Sequence, residues 1–232
     1  IVMQLTPSGV CALMAKTVAN LGFTIIVTLA KYCASEIFLL FLFGLIVYGL
    51  MFKIFTHLSF GKFLKKYSRI ALVPFSTSSS HATLPYSIEF CRSIGVSEKV
   101  ASFTLPLGAT LNMDGSAIMQ GMTAVFVAQL YNIDLTWPML LTIIIAATLG
   151  TIGSPGMPGV VMVTLTVGLQ SVGFPLEAFA IIVAIDKFPD MFKTVLTVLG
   201  DAIDTVIVAK SEGEFDADVF NGKKEADLYV GE

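Results

Sequence analysis

Six polar side chains recur at helical spacing near the C-terminal end of the sequence, and their types suit ion binding. They follow one another at intervals of four, three, four, four and three: Asp186, Asp190, Lys193, Thr197, Asp201 and Asp204. At about 100° per residue they form one narrow stripe on a helix, with Thr194 at its edge. Because the stripe holds more carboxylates than its one lysine can neutralise, it predicts bound cations. A salt-bridge seam between helices is the alternative.

A second polar group, Asn112-Met113-Asp114-Gly115, interrupts an apolar stretch and is preceded by Gly108. Unwinding at Gly108 and Gly115 would free backbone carbonyls. Together with the side-chain oxygens of Asn112 and Asp114, these carbonyls would form a hard-oxygen site that suits Na⁺ better than a transition metal. The alternative is a kinked helix in which Asn112 and Asp114 pack through hydrogen bonds.

A run of serines, Ser78–Ser80, separates the apolar segments IALVPF and LPYSIEF. If a helix starts here, the backbone N–H groups at its positive end would hold a carboxylate, and the hydroxyls would add donors without adding charge. A solvated linker is the alternative. The adjacent His81 is a candidate for binding substrate or a proton, because histidine titrates near neutral pH, or else a structural neighbour.

The composition defines the class of protein that carries these groups. Of 232 residues, 55% are hydrophobic and only 13% are charged, about half the charged fraction of a typical soluble domain. The 14 Lys and Arg do not exceed the 17 Asp and Glu, which excludes a nucleic-acid binder. Cys11, Cys33 and Cys91 are too widely spaced for a disulfide framework or a structural zinc site. An all-α, multi-pass integral membrane protein is predicted.

The apolar stretches predict how the chain crosses the membrane. Four are long enough to span a bilayer, at about residues 8–29, 35–55, 102–131 and 176–208. Two shorter stretches, at 70–90 and 139–169, each have two apolar arms around a polar or Gly/Pro tip, as re-entrant hairpins do. Basic residues flank only the first hairpin, so the two should enter from opposite sides.

A repeat of hairpin and interrupted span in opposite orientations is typical of the inverted-repeat core of a secondary transporter. The tips at 78–83 and 153–159 should then meet the break at 112–115. We therefore expect a scaffold-type transmembrane helix over residues 1–31 and a transport core over 32–210. An acidic cytoplasmic tail should follow over 211–232, and its composition predicts disorder.

Four motifs carry a resemblance to a known family: SSSHATLP, GATLNMDGSA, GTIGSPGMPG and DMFKTVLTVLGD. In this order and spacing they resemble the glutamate-transporter-like family of dicarboxylate/amino acid:cation symporters, over nearly all of residues 5–210. The resemblance implies that the chain starts near the family's fifth span, with four spans expected ahead of it. It also implies a homotrimer in the plasma or inner membrane, in contact with lipid, with Na⁺ as the coupling ion and no organic cofactor.

The resemblance also implies cation and substrate sites. For one sodium ion the matching residues are Gly108, Asn112, Asp201 and the carbonyl of Thr197. For a second they are Thr110, Thr151, Ile152 and Ser154, while Asn112 and Asp114 would supply part of a third. For the substrate they are Ser79, Ser80, Ser116, Gly159, Asp190, Lys193, Thr194 and Thr197, with Asp190 taking an amino group.

Several positions depart from the family pattern. Lys193 stands where members that carry acidic substrates usually have arginine, and lysine lacks the two-pronged grip of a guanidinium on a carboxylate. Thr197 stands where asparagine is usual, and His81 replaces a small residue. Where members commonly place a further arginine, this sequence has Ser78 and Met191, and Lys187 is a candidate replacement. These departures argue against assuming aspartate or glutamate as substrate.

The sequence therefore predicts a secondary active symporter, not an enzyme, that couples a cation gradient to uptake of a small carboxylate solute. Na⁺ is the expected cation, and the expected solute is a dicarboxylate or an acidic or neutral amino acid. Two alternatives stay open. One is a proton-coupled dicarboxylate symporter that uses His81, and the other is a passive ion or anion channel lined by the charged stripe. A membrane hydrolase built on the serines lacks a suitably spaced base.

Overall fold

The computed structural model describes residues 24–151 and 185–225, together with residues 165, 170, 182 and 183. Within these residues the regular structure is helical, and one isolated bridge joins Val96 to Phe215. The all-helical fold is confirmed for this part of the chain, whereas the re-entrant arrangement in a bilayer remains a prediction. The helices are α1 (Thr24–Phe43), a π-helical turn (Gly44–Tyr48), α2 (Gly49–Thr56), α3 (Phe60–Tyr67), α4 (Leu72–Thr77), α5 (Ser80–Ser93), α6 (Glu98–Leu111), α7 (Asp114–Leu130), α8 (Trp137–Thr151), α9 (Lys187–Ser211) and α10 (Ala217–Asn221).

The first helical unit is continuous from α1 through the π-helical turn to α2. It runs through residues 31 and 32, where a boundary is predicted from the sequence, because neither Lys31 nor Tyr32 disfavours a helix. Lys31 is exposed and Tyr32 is buried on another side of the same helix. Among the described residues, Ile26–Thr56 is the one stretch of 31 residues that is long and apolar enough to cross a bilayer.

The serine run lies in a tight turn between α4 and α5. Ser78 has a left-handed backbone (φ 49°) and ends α4, and the side chain of Ser79 accepts a hydrogen bond from the Ala82 N–H at 3.3 Å and so caps α5. The turn is shorter than the predicted tip at 78–83, because Ser80–Thr83 already form the first turn of α5. The two arms are also unequal, since α5 continues to Ser93.

The helix between residues 98 and 130 is broken at Asn112 and Met113, which separate α6 from α7. This break falls within the segment 112–115, where an interruption is predicted from the sequence. Gly108 and Gly115 are both helical, which differs from the predicted unwinding at these glycines; their role is close packing, described below. Glu98 begins α6 ahead of the predicted start at residue 102, because Ser97 caps it by accepting from the Val100 N–H.

The charged helix α9 lies at the centre of the described residues and packs against α1, α4, α5, α6 and α7. Its apolar side chains join the main core cluster, in which Leu196, Val198, Ile203 and Val206 are buried. The helices on either side of the serine run, α4 and α5, and those on either side of the break at residues 112 and 113, α6 and α7, therefore all pack against α9.

The acidic tail is ordered over residues 211–225, in contrast to the predicted disorder. Phe215 pairs with Val96, and Phe220 is only 1% exposed and lies 5.2 Å below the ammonium of Lys66. Asp216 caps α10, and its hydrogen bond with the Lys224 ammonium, at 3.2 Å, holds the pKa of Asp216 below its ordinary value. Phe215 and Phe220 thus pack the tail against the rest of the chain. The average composition of the tail does not reveal these two contacts.

Two helical surfaces expose rows of large apolar side chains. Surfaces of this size on a folded chain are covered by lipid or by further apolar protein. On the unit from α1 to α2 the exposed residues include Phe38, Phe41, Leu45, Ile46, Leu50, Ile54 and Phe55, and on α8 they include Leu141, Ile144, Ile145 and Leu149.

Candidate cation and substrate site

The break between α6 and α7 faces the acidic stripe of α9. Asn112 ends α6 with an extended backbone, and its side-chain N–H donates to Asp201 Oδ1 at 3.0 Å. Asp201 is only 4% exposed. The structure therefore brings together two of the residues that the resemblance assigns to one sodium site.

Gly108 allows this contact, because α6 approaches α9 too closely for a side chain. A Cβ atom on Gly108 would lie 2.8 Å from Asp201 Oδ1, well inside ordinary van der Waals contact. The glycine thus places the α6 backbone directly against the carboxylate, and its own carbonyl accepts the Asn112 backbone N–H at 2.7 Å.

Asp114 begins α7 and accepts a hydrogen bond from the Tyr48 hydroxyl at 2.7 Å. Tyr48 is the last residue of the π-helical turn, and such turns often occur at functional sites because the extra residue redirects a side chain. Gly200 on α9 leaves room for both groups: a Cβ there would collide with the Tyr48 hydroxyl and lie 2.7 Å from the Asn112 amide nitrogen. Tyr48 and Gly200 were not predicted from the sequence. The signal in the sequence was the hydroxyl of Tyr48 within the apolar stretch 35–55, since the hydroxyl of a buried tyrosine usually needs a hydrogen-bond partner.

We call this group the break cluster: Gly108, Asn112, Asp114, Asp201, Tyr48 and Gly200. Its oxygens come from carboxylates, an amide and the free carbonyls at a helix end, which are the ligands that hard monovalent and alkaline-earth cations prefer. No set of three or more His, Cys, Asp or Glu side chains within the described residues is arranged to hold a metal ion. A cation here would therefore depend on backbone carbonyls and on Asn112 in addition to the carboxylates.

A second group lies at the start of α9, and we call it the lysine cluster: Asp186, Asp190 and Lys193. Lys193 is 4% exposed, and its ammonium contacts Asp190 Oδ1 at 3.1 Å and Asp186 Oδ1 at 3.4 Å. Both aspartates are also buried. The lysine is thus already neutralised by its own helix, and a substrate carboxylate that binds Lys193 would have to compete with these aspartates.

The two clusters are joined through Gly115 and Thr197. A Cβ on Gly115 would lie 2.7 Å from Lys193 Cγ and 3.1 Å from Thr197 Oγ1. Thr197 is buried and donates its hydroxyl to the Lys193 carbonyl at 3.1 Å. Ser116, the next residue on α7, is also buried, so the start of α7 lies against the middle of α9.

The serine turn lies beside both clusters. Ser80 is buried, and its hydroxyl donates to the Ala109 carbonyl on α6 at 3.5 Å. Lys187, the first residue of α9, donates to the Ser78 hydroxyl at 3.0 Å. The turn is therefore close to the helix break and to the start of α9, as the predicted convergence of the first tip requires.

Other predicted residues bond within their own helices, are exposed, or lie outside the described residues. Thr110 donates its hydroxyl to the Pro106 carbonyl within α6 at 3.0 Å, and Thr194 donates to the Asp190 carbonyl within α9 at 2.9 Å. Asp204 is the exposed member of the acidic stripe. The Thr151 side chain and the whole of Ile152, Ser154 and Gly159 lie outside the described residues.

Comparison with known proteins identifies the family. The profile of the sodium:dicarboxylate symporter family matches residues 1–211. The chain belongs to the sodium:dicarboxylate symporter family. The family resemblance carried by the four motifs is thereby confirmed, and the members of this family are transporters and not enzymes, as the sequence predicts. Membership also implies an integral membrane protein.

Three relatives show how much of a symporter the chain represents. The proton/glutamate-aspartate symporter of Escherichia coli (strain K12) is 37% identical over 215 residues, which are 93% of this chain and 49% of the relative. The proton/sodium-glutamate symport protein of Bacillus subtilis (strain 168) is 35% identical, over 93% of this chain and 50% of the relative. Excitatory amino acid transporter 1 of Mus musculus is 34% identical, over 90% of this chain and 39% of the relative. The chain thus spans half or less of the length of these relatives.

Proposed function

We propose that the complete protein is a secondary active symporter that couples a Na⁺ gradient to the uptake of a small carboxylate solute, either an acidic amino acid or a dicarboxylate. The observation that carries this proposal is the contact between the helix break and the buried acidic helix α9. Asn112 donates a hydrogen bond to Asp201 at 3.0 Å, and the absence of a side chain on Gly108 lets the α6 backbone lie against the same carboxylate. The names of the relatives, which are symporters for glutamate or aspartate, support the same substrate class.

The break cluster supports the cation part of the proposal. Asp201 is buried among apolar core residues, where an isolated carboxylate is strongly unfavourable unless it is paired. The amide of Asn112 satisfies one lone pair but brings no positive charge. A bound Na⁺ would supply that charge, with ligands from Gly108, Thr197 and Asn112. Two further sodium sites would use Thr110 with Thr151, Ile152 and Ser154, and Asn112 with Asp114.

The lysine cluster and the serine turn support the substrate part. Lys193 offers a cation for a substrate carboxylate, and Asp190 offers an anion for a substrate amino group. The remaining groups would surround these two charges with hydroxyl and backbone donors: Ser79, Ser80, Ser116, Gly159, Thr194 and Thr197. In the membrane we expect a homotrimer surrounded by lipid, in the plasma or inner membrane.

The test uses the full-length protein in proteoliposomes with an inward Na⁺ gradient and a panel of labelled carboxylates, namely aspartate, glutamate, succinate and malate. We expect uptake against a gradient that a sodium ionophore abolishes, and a strong loss of Na⁺ dependence in Asp201→Asn. Asp134→Asn is the matched control, because this exposed aspartate lies between α7 and α8, outside the acidic stripe. Uptake that only follows the substrate gradient would indicate a channel, and unchanged Na⁺ dependence in Asp201→Asn would refute the cation site.

A further inference from the structure

A buried carboxylate on α1 belongs to neither the break cluster nor any set of residues assigned so far. Glu36 is 0% exposed, and neither of its carboxylate oxygens has a hydrogen-bond partner among the described residues. A charged carboxylate in this position would have lost its hydration, and the nearest donor on its own helix, the Tyr32 hydroxyl, is shared with Thr123 at 2.8 Å. Buried groups of this kind neutralise by taking up a proton.

The charges around Glu36 lead to the same conclusion. Glu36 lies within electrostatic range of Lys193, Asp186 and Asp190. Lys193 already contacts both aspartates, at 3.4 and 3.1 Å. An ionised Glu36 would therefore be a third buried carboxylate beside one ammonium group.

The other neighbours of Glu36 offer no positive charge. On its own helix the closest titratable groups are Tyr32 and Cys33, which are both neutral at physiological pH. From α7, which packs against α1, Thr123 contributes a hydroxyl that is within 2.8 Å of the Tyr32 hydroxyl. Within the described residues, Lys193 is therefore the cation that faces Glu36.

From this geometry we infer that Glu36 binds and releases a co-transported proton, so that the charge of the lysine cluster changes during the transport cycle. The inference rests on the proposed symport function. When the substrate carboxylate reaches Lys193, it enters a cluster with more carboxylates than cations. An O–H bond formed at Glu36 removes one negative charge, and breaking that bond after substrate release returns the proton to water on the other side of the membrane.

The test measures proton movement in Glu36→Gln, which keeps the shape of the side chain and cannot titrate. The full-length protein is reconstituted in vesicles that contain a pH-sensitive dye, and substrate uptake is driven by an imposed Na⁺ gradient. We expect loss of the substrate-driven acidification and of the pH dependence of uptake. Exchange of labelled for unlabelled substrate, which needs no net proton movement, should be retained.

The matched control is Glu89→Gln, because Glu89 is an exposed glutamate on α5. Substrate-driven acidification in Glu36→Gln equal to that of the wild type and of Glu89→Gln would overturn the inference. Loss of Na⁺ dependence with acidification intact would also overturn it, since Glu36 would then serve a metal cation.

A second variant and a direct measurement cover the case in which Glu36→Gln does not fold. Glu36→Asp keeps a titratable group, and we expect acidification to persist with a shifted pH dependence; an unshifted profile would contradict the inference. In the wild type, infrared difference spectra on substrate addition should show a protonated carboxyl band. If the wild type accumulates substrate without moving protons, the role of Glu36 fails while the proposed function stands. If it accumulates no carboxylate at all, the proposed function fails.

Discussion

Gly108→Ala tests the cation site through geometry, without changing any charge. The new methyl group would lie 2.8 Å from Asp201 Oδ1, and ordinary contact begins at 3.4 Å. Asp201 must therefore withdraw by about 0.6 Å, because well-packed interiors hold few voids that could absorb the methyl group. The side chain of aspartate is short and Asp201 is held by Asn112, so the carboxylate itself has to move.

The expected size of the effect follows from the bond that this movement breaks. If Asp201 moves away from Asn112, their 3.0 Å hydrogen bond lengthens to about 3.6 Å, which is no longer a hydrogen bond. A hydrogen bond to a charged group contributes about 1.5–3 kcal/mol. If cation binding requires the carboxylate where this bond holds it, Na⁺ affinity should fall by roughly 10- to 150-fold.

The assay is a Na⁺ titration of thermal stability of the full-length protein, since a ligand that binds the folded state raises its apparent stability. Gly121→Ala is the matched control, because Gly121 is also helical and no heavy atom lies within 4 Å of the position that its new Cβ would take. It should leave Na⁺ affinity unchanged and stabilise α7 by about 0.5–1 kcal/mol. A Gly108→Ala variant with the same Na⁺ midpoint as Gly121→Ala would refute the close-packing explanation.

Three further predictions concern other contacts. Tyr48→Phe removes the hydroxyl that donates to Asp114 at 2.7 Å. Because a hydrogen bond to a charged group is lost, Na⁺ affinity should fall by roughly tenfold in the same titration. An unchanged Na⁺ midpoint would exclude a role of Tyr48 in cation binding. Lys193→Met leaves Asp186 and Asp190 buried without their ion-pair partner, so the unfolding free energy should fall by about 3–5 kcal/mol in denaturant unfolding. An equally stable variant would contradict the ion pairs. Because Lys224 lowers the pKa of Asp216 in the folded chain, the contribution of this contact is complete above the unfolded pKa of about 3.9 and is lost as pH falls through the folded pKa. The protection of α10 amides from hydrogen exchange, relative to the unfolded chain at the same pH, should therefore fall only in strong acid. A fall already at about pH 6, well above that range, would refute this.

The polar positions of the site were predictable because polar groups in apolar segments have few tolerable environments. An unpaired carboxylate facing lipid is strongly unfavourable, so the spacing of the stripe from Asp186 to Asp204 already required a buried face, and all of its members except Asp204 are buried. The pattern Asn112-Met113-Asp114-Gly115 likewise indicated a helix break. In both cases the physical penalty for any other placement is large.

The structure departs from the sequence-based expectations where several weak preferences compete. Residues 31 and 32 did not end a helix because a lysine can point outward while its neighbour is buried. The π-helical turn that orients Tyr48 has no sequence signature, since it depends on the packing of α1 and α2 against α9. Glu36 was visible as a charge near the start of a predicted span, but its position beside Lys193 follows from how α1 and α9 pack.

One uninterrupted helix, α9, carries both Lys193 and Asp201. These residues are eight positions apart, which is about 12 Å along the helix axis. A helix of this length resists compression and bending, so a shift of one end is transmitted to the other. A displacement of the α9 backbone at Lys193 would therefore also displace Asp201. Coupled movement of the solute and the cation would then follow from the stiffness of this one helix.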